Sequence, residues 1–261
     1  MLPYLLALDL DYTACDRTRH LSQRTREALT AARAAGHTIC FATGRRDIDM
    51  YPFWGESTYA DYLLLNNGGK LLRAADRKVL FNQCIDPAAS KVLIEHCLAH
   101  GYQLHVVSGE RWVVNRWSEG LTEYVEHLGI APVLYTKLEE TPWEQVEGFM
   151  ATEDLGPVCA AVEALRLPMN CTPAEDQCVD LMALGISKWG GLKRLSERLG
   201  VPRERIIAAG DYNNDIEMIQ NAGIGVAVAN ALPEVKAAAD YVTQRDNDHD
   251  AVVEIVEKFL L

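Results

Sequence analysis

The sequence predicts an α/β protein: a parallel-sheet core with an α+β domain inserted into it. Three observations predict this. The first and last thirds of the chain alternate short apolar runs with amphipathic stretches, the rhythm of strand-helix-strand units whose strands lie parallel. Each of those apolar runs stops in Asp, Asn, Thr or Gly, residues that turn the chain and that collect at one edge of such a sheet. Between the two thirds the rhythm changes to strands in hairpins mixed with helices. Residues 1–82 and 185–261 are therefore read as core, and 83–184 as the inserted domain.

Taken in order, Tyr4-Leu5-Leu6-Ala7-Leu8 is a buried strand that opens into the acidic stretch Asp9-Leu10-Asp11-Tyr12-Thr13. Ser22 is placed to cap a helix that stops at Gly36. A strand over 37–42 ends in Thr43-Gly44-Arg45, a helix is expected over about 46–54, and a strand over 61–65 closes in Asn66-Asn67-Gly68-Gly69. Residues 70–73 and 79–82 make a hairpin. In the inserted part, helices are expected from Asp86-Pro87 to Gly101, over 118–128 and over 154–165. Strands are expected there over 102–107, 112–116, 146–151, 169–172 and 178–183. After Gly185 the alternation resumes with a helix from Lys188 to Gly200 and a strand over 205–209 running into Gly210-Asp211-Tyr212-Asn213-Asn214-Asp215. A helix to Asn221, a strand over 224–228, a helix over 233–239, a short strand over 241–243 and a last helix over 250–260 complete the chain.

The totals bound the function. With 261 residues, 49% hydrophobic and 24% charged, the chain can bury a full core. A net charge of -12 argues against a general nucleic-acid or anionic-membrane surface, so an anionic substrate has to be met by local positive groups or a metal. The seven cysteines are scattered and never spaced C-x-x-C, which suggests buried thiols rather than a zinc cluster or a disulfide framework. Met1-Leu2-Pro3 leads straight into a strand, no leader segment is evident, and no run of 18 apolar residues occurs, so a cytoplasmic location without membrane attachment is expected.

Four strand ends carry candidate chemistry. Along an extended tip, Asp9 and Asp11 start on one face, and two carboxylates sharing a site ask for a cation, a proton to carry, or both. Asp and Thr after a strand also make ordinary turns, so the stretch alone reads either way. Thr43-Gly44-Arg45 offers a hydroxyl and backbone N–H groups to an oxyanion, and is equally a plain strand-to-helix turn. Lys188 stands at a helix start, where the dipole does not favour a cation; an anionic partner would explain it, and a solvated lysine is the simple alternative. Asp211 and Asp215 concentrate carboxylates at a fourth strand end, with Asn214 or Asp215 also available as helix caps. Trp112, Arg116, Trp117 and Trp143 are read as structural, and no residue of the inserted domain is assigned to the site.

With all four stretches in view, the sequence resembles the haloacid dehalogenase superfamily of phosphohydrolases over its full length. Asp9-Leu10-Asp11-Tyr12-Thr13 matches the nucleophile motif D-x-D-x-T, Thr43 the second motif, Lys188 the lysine motif, and Gly210-Asp211 with Asn214-Asp215 the acidic motif. A cap of about one hundred residues, lying between Thr43 and Lys188, resembles that of the Cof-like subfamily with a C2B-type cap, and Asn67-Gly68 is similar to its N-G after the third strand. Departures are Tyr212, where that loop often carries Gly or Ser, and His249-Asp250 in place of Gly-Val.

The resemblance implies a Rossmann-like parallel-sheet core and an inserted cap that opens and closes, with hinges near 81–86 and 183–187. It implies that Asp9 attacks phosphorus to form an aspartyl phosphate and that Asp11 protonates the leaving alkoxide, then takes a proton from water. Mg²⁺ would be held by the Asp9 carboxylate, the Asp11 backbone carbonyl and Asp211, with Asp215 in support. Thr43, Lys188, Asn214 and the backbone of Leu10 and Gly44 would hold phosphoryl oxygens. The expected substrates are small phosphorylated metabolites, sugar phosphates foremost, and the expected state is a monomer or small homo-oligomer. A phosphomutase or phosphotransferase would use the same aspartyl phosphate. A receiver-like signalling module is the rival from another class; such modules are much shorter and carry no inserted cap.

Overall fold

A computed structural model describes residues 3–174 and 178–261, so Met1 and Leu2, where a leader was sought, lie outside the described residues. Along the chain come β1 (Leu5–Leu8), α1 (Gln23–Ala34), β2 (Thr38–Ala42), β3 (Tyr62–Leu65), β4 (Lys70–Arg73) and β5 (Lys78–Asn82). Next are α2 (Pro87–His100), β6 (His105–Ser108), β7 (Arg111–Val114), α3 (Glu119–Leu128), β8 (Val133–Leu134), β9 (Gly148–Ala151), α4 (Leu155–Ala164), β10 (Met169–Ala174) and β11 (Cys178–Ala183). The chain closes with α5 (Lys188–Leu199), β12 (Ile206–Gly210), α6 (Ile216–Asn221), β13 (Ile224–Ala227), α7 (Pro233–Ala238), β14 (Tyr241–Val242) and α8 (Ala251–Phe259).

The chain divides into two units. The first holds Met1–Gly44, Phe53–Phe81 and Ser187–Leu261. Its sheet runs β14-β13-β12-β1-β2-β3-β4-β5, parallel from β14 to β3, with β4 antiparallel to β3. All four residues of β1 are buried because both faces of the sheet are covered, which is why the strand reads as an unbroken apolar run. Leu5 and Ala7 pack on one face with Leu192 and Leu195 of α5 and Met218 of α6; Leu6 and Leu8 alternate to the other. Ser22 caps α1 as expected, its hydroxyl accepting from the Thr25 N–H at 3.0 Å.

The second unit holds Arg45–Pro52 and Asn82–Ile186. Its sheet runs β10-β11-β9-β6-β7-β8, antiparallel except for the β7–β8 pair. The architecture is thus a Rossmann-like core with an inserted cap sheet. Where the sequence reading has one insertion, the chain enters this unit twice. The α-helix expected over about 46–54 does not form: Ile48–Phe53 and Glu56–Tyr59 are 3-10 turns, with Pro52 inside the first, where it lacks an N–H to continue a helix. Ile48 packs instead with Val107, Trp112, Val114, Leu121 and Met150. The buried Arg46 guanidinium holds Asp49 at 2.8 Å and Asp180 at 3.3 Å.

Two further details differ from expectation. Cys159 of α4 and Cys171 of β10 are joined as a disulfide, with Cα atoms 6.0 Å apart, whereas Cys15, Cys40 and Cys97 are the buried thiols foreseen. The short strand β8 was not foreseen, being two exposed residues with no alternation to detect. Among the described residues no helix is long and apolar enough to cross a membrane.

His105 of β6 gives this unit a pH dependence. The ring is fully buried, and the Trp112 indole N–H donates to its Nδ1 at 3.1 Å, which leaves the ring proton on Nε2. A second proton would displace that bond and put a charge in the interior. Burial, helped by the Arg46 guanidinium, therefore lowers the imidazole to about 3. The unfolded chain takes up this proton near pH ~6.5 and the folded one refuses it, so stability falls as pH drops below that value. The loss due to His105 should reach about 3 kcal/mol at pH ~4, at ~1.36 kcal/mol per pH step. Urea titrations of wild type and His105→Asn at several pH values check this: the variant should show the shallower acid decline, and parallel declines would remove His105 as the cause.

Candidate active site

The site lies within the first unit, and parallel strands bring its parts together. β1 and β12 are neighbours in register, Leu8 opposite Ala209, so Asp9 and Gly210-Asp211 leave the sheet side by side. The Asp9 N–H donates to the Ala209 carbonyl at 3.0 Å, fixing the first carboxylate at the tip. From there the chain bends into a single irregular helical turn, Leu10–Ala14, in which Asp11 and Tyr12 leave helical geometry. That bend separates Asp11 from the arrangement expected along a straight tip.

On the β12 side, Asp215 folds back over Gly210. A Cβ at Gly210 would overlap the Asp215 side chain, so a glycine is required. Asp215 Oδ2 then accepts from the N–H groups of Asp211 and Tyr212 at 3.0 and 3.1 Å. Its Oδ1 accepts from Lys188. Lys188 is the first residue of α5, whose N-cap Ser187 accepts from the Gly190 N–H at 3.1 Å. Helix α5 reaches the sheet through another close approach: a Cβ on Gly191 would lie 2.7 Å from the Gly68 carbonyl and 2.5 Å from Leu64.

At the centre, Lys188 Nζ donates to Asp9 Oδ1 and to Asp215 Oδ1, each at 2.6 Å. Lys188 is 1% exposed, Asp9 6% and Asp215 0%, so this is an ion cluster out of water. Asp9, Asp211 and Asp215 bring carboxylate oxygens within 4.8 Å of one another, against the one ammonium of Lys188. The electrostatics follow from that imbalance. Burial holds the Asp9 carboxyl well above the usual range; Lys188 works against this, and the charges of Asp215, Asp211 and Asp11 add to it. Burial and the Asp215 charge push Asp211 up to about 6, against the Thr13 hydroxyl that donates to it at 2.9 Å. Burial opposes the charge on Lys188, but Asp215 and Asp9 outweigh it and hold the ammonium above the ordinary lysine value.

Buried carboxylates in excess of their counter-charge form an oxygen donor set suited to a hard divalent cation, and the raised carboxyls are what such a cation would relieve. The residues fit a metal. Asp11 is half-buried, and its side chain is not among the three carboxylates.

Thr43 follows β2, on the other side of β1, and is buried; Gly44 comes next, half-buried. Asn214 is tied in through Asn67, donating to its Oδ1 at 2.9 Å. Asp9, Lys188, Asp211 and Asp215 are therefore in direct contact or within a shared cluster, and Thr43, Gly44 and Asn214 sit on adjoining loops. Two residues left without a role now have one. Asn67 donates its N–H to the Thr43 carbonyl at 3.0 Å, and its side chain is what a Cβ on Gly44 would meet, at 3.3 Å. Thr13 ties the Asp9 loop to Asp211. The Asn-Gly after β3 and the Thr ending the acidic stretch were the available signals.

Comparison with known proteins identifies the family and the fold. The family model for haloacid dehalogenase-like hydrolases matches residues 6–256. The chain is 26% identical to the 5-amino-6-(5-phospho-D-ribitylamino)uracil phosphatase YitU of Bacillus subtilis (strain 168), covering 98% of this chain and 97% of that protein. A haloacid dehalogenase-like hydrolase from Bacteroides thetaiotaomicron superposes with a TM-score of 0.87 at 27% identity, covering 98% of this chain and 99% of that one. The subclass IIB sugar phosphatase BT4131 does so with a TM-score of 0.80 at 25% identity, covering 98% of each.

Proposed function

The chain belongs to the haloacid dehalogenase-like hydrolases, and from that premise we propose that it is a Mg²⁺-dependent phosphatase of small phosphorylated metabolites, sugar phosphates foremost, working through an aspartyl phosphate on Asp9. The observation that carries this reading is the buried Asp9–Lys188–Asp215 cluster with Asp211 beside it. A solvated lysine or an ordinary turn does not produce it. The relatives described as phosphatases, one of them a sugar phosphatase, support the substrate class.

Phosphate monoester hydrolysis is among the slowest uncatalysed reactions, needing accelerations up to ~10²¹-fold. A carboxylate nucleophile divides it into two easier displacements. Asp9 attacks phosphorus, and Lys188, 2.6 Å from its Oδ1, steadies that carboxylate and meets the incoming phosphoryl charge. Thr43, Asn214 and the backbone N–H groups of Leu10 and Gly44 hold the phosphoryl oxygens. Asp11 gives a proton to the departing alkoxide, then takes one from the water that cleaves the aspartyl phosphate. Asp9, Asp211 and the Asp11 carbonyl would hold Mg²⁺, with Asp215 in support; when bound it supplies neutralisation of phosphoryl charge.

A screen over sugar phosphates, nucleotides, pyridoxal phosphate and phosphoglycolate tests the reading, each with Mg²⁺ and with a chelator, following inorganic phosphate. Release without an added acceptor, lost on chelation, is the expected result. No release unless a second hydroxyl compound is present would replace hydrolysis by phosphoryl transfer, and full activity in chelator would remove the metal.

A further inference from the structure

Tyr12 occupies a backbone conformation that tyrosine disfavours. Its φ of 58° and ψ of 9° lie in the left-handed region, where a side chain crowds its own backbone and glycine is the natural occupant. Hydrogen bonds anchor the backbone around it. The Asn230 side chain donates to the Tyr12 carbonyl at 2.7 Å, and the Asn230 Oδ1 in turn accepts from the Asn247 N–H at 3.1 Å. Asn247 also donates to the Cys15 carbonyl at 3.0 Å, and Thr13 is fixed on Asp211. Hydrogen bonds thus hold the chain on both sides of this left-handed residue.

A strained, bulky residue is accounted for by what its side chain does, and strain of this kind gathers where ligands are gripped. Tyr12 is 43% exposed, the residue next to Asp11 and three along from Asp9. A second tyrosine, Tyr212, is 52% exposed immediately after Asp211. The Thr13–Asp211 hydrogen bond joins the two segments that carry these rings. Each of two site aspartates is thus followed directly by an exposed aromatic ring, on segments bonded to each other. Tyrosine presents a large, rigid face with a polar tip at low conformational cost.

We propose that Tyr12, with Tyr212 beside the same site, is a specificity-determining residue that selects phosphate monoesters whose leaving group presents a ring face. The inference rests on the phosphatase reading and sharpens it. Two kinds of leaving group offer that face: the C–H side of a cyclic sugar and the plane of an aromatic heterocycle.

The test compares kcat/KM for glucose 6-phosphate and for pyridoxal phosphate with that for the open-chain glycerol 3-phosphate, in wild type, Tyr12→Phe and Tyr12→Gly. Glycine suits the left-handed backbone, so Tyr12→Gly should melt no lower than wild type, and loss of fold is not an explanation for its kinetics. The expected result is a wild-type preference for one or both ring substrates over the open-chain one. That ratio should be kept in Tyr12→Phe and fall at least tenfold in Tyr12→Gly, mainly through KM. Which ring substrate loses most identifies the kind of face recognised. A ratio that falls less than tenfold in Tyr12→Gly, or a wild type that prefers glycerol 3-phosphate, overturns the proposal while leaving the phosphatase reading intact. A wild type that releases phosphate from no ester in the wider screen brings down both.

Discussion

Asp9→Asn is expected to lose turnover by about 10⁴-fold or more while melting at or above the wild-type temperature. The two halves of that result have one cause. Asp9 is buried with its carboxyl held well above the usual range, so its charged form costs the fold stability, and an amide of the same shape removes that cost. Lys188 keeps Asp215 as a partner at 2.6 Å and is not stranded. What the amide cannot do is form an acyl phosphate. Asp11→Asn should behave differently. A general acid contributes about 10²–10⁴-fold with a poor leaving group and much less when the leaving group departs unaided. With p-nitrophenyl phosphate, Asp11→Asn should release about one equivalent of nitrophenolate per enzyme and then stall, because the water that cleaves the aspartyl phosphate has lost its base. Asp9→Asn should give no burst. Turnover within tenfold of wild type in either variant would sink the assigned roles.

The parts of this site that could be read from sequence are those in which one local stretch carries both the placement and the chemistry. Asp9 follows a four-residue run buried on both faces, and Asp211 follows β12, which is buried throughout; each run ends at the sheet edge, so the acid after it lies in a site loop. Lys188 was legible as an odd cation at a helix start, and its two buried carboxylate partners resolve that oddity. The parts that could not be read depend on partners far along the chain. Arg46 and Ile48 look like the start of an amphipathic helix, but their side chains are claimed by Asp180, Trp112 and Met150, so tertiary packing overrides the local pattern. Asn67 was legible as part of an Asn-Gly after the third strand but not as a partner of Asn214, because that link spans 147 positions. The Cys159–Cys171 pair stands twelve residues apart, a spacing with no motif to mark it. The left-handed backbone at Tyr12 sits in a network with Asn230 and Asn247, which no local rule connects to it.

Lys188→Met should destabilise the metal-free protein by about 3–5 kcal/mol, the usual consequence of removing one member of a buried ion cluster. Methionine fills much of the same volume, so the loss is electrostatic rather than a cavity. Without the ammonium, Asp9 and Asp211 lose the one cation that favours their charged forms while Asp215 stays beside them in a water-poor site, so the Asp9 and Asp211 carboxyls become harder to ionise. That gives the variant a signature in pH. Folded-state carboxyls raised above their unfolded values favour the fold while protonated, and the advantage is lost as pH rises from the unfolded value through the folded one. The variant should therefore lie closest to wild type near pH ~5 and furthest from it near pH ~8. In the wild type the raised Lys188 has the same sense in a higher pH window: its contribution is fully present below the ordinary lysine value and is lost only as pH rises past it. Mg²⁺ should restore part of the variant's stability by neutralising the same carboxylates, and restore it more at pH ~8 than at pH ~5. Urea titrations of wild type and Lys188→Met at both pH values, with and without Mg²⁺, measure all of this. A uniform loss that ignores pH and metal alike would mean that Lys188 matters for packing, and would take away the charge balance from which the proposed chemistry of the site is argued.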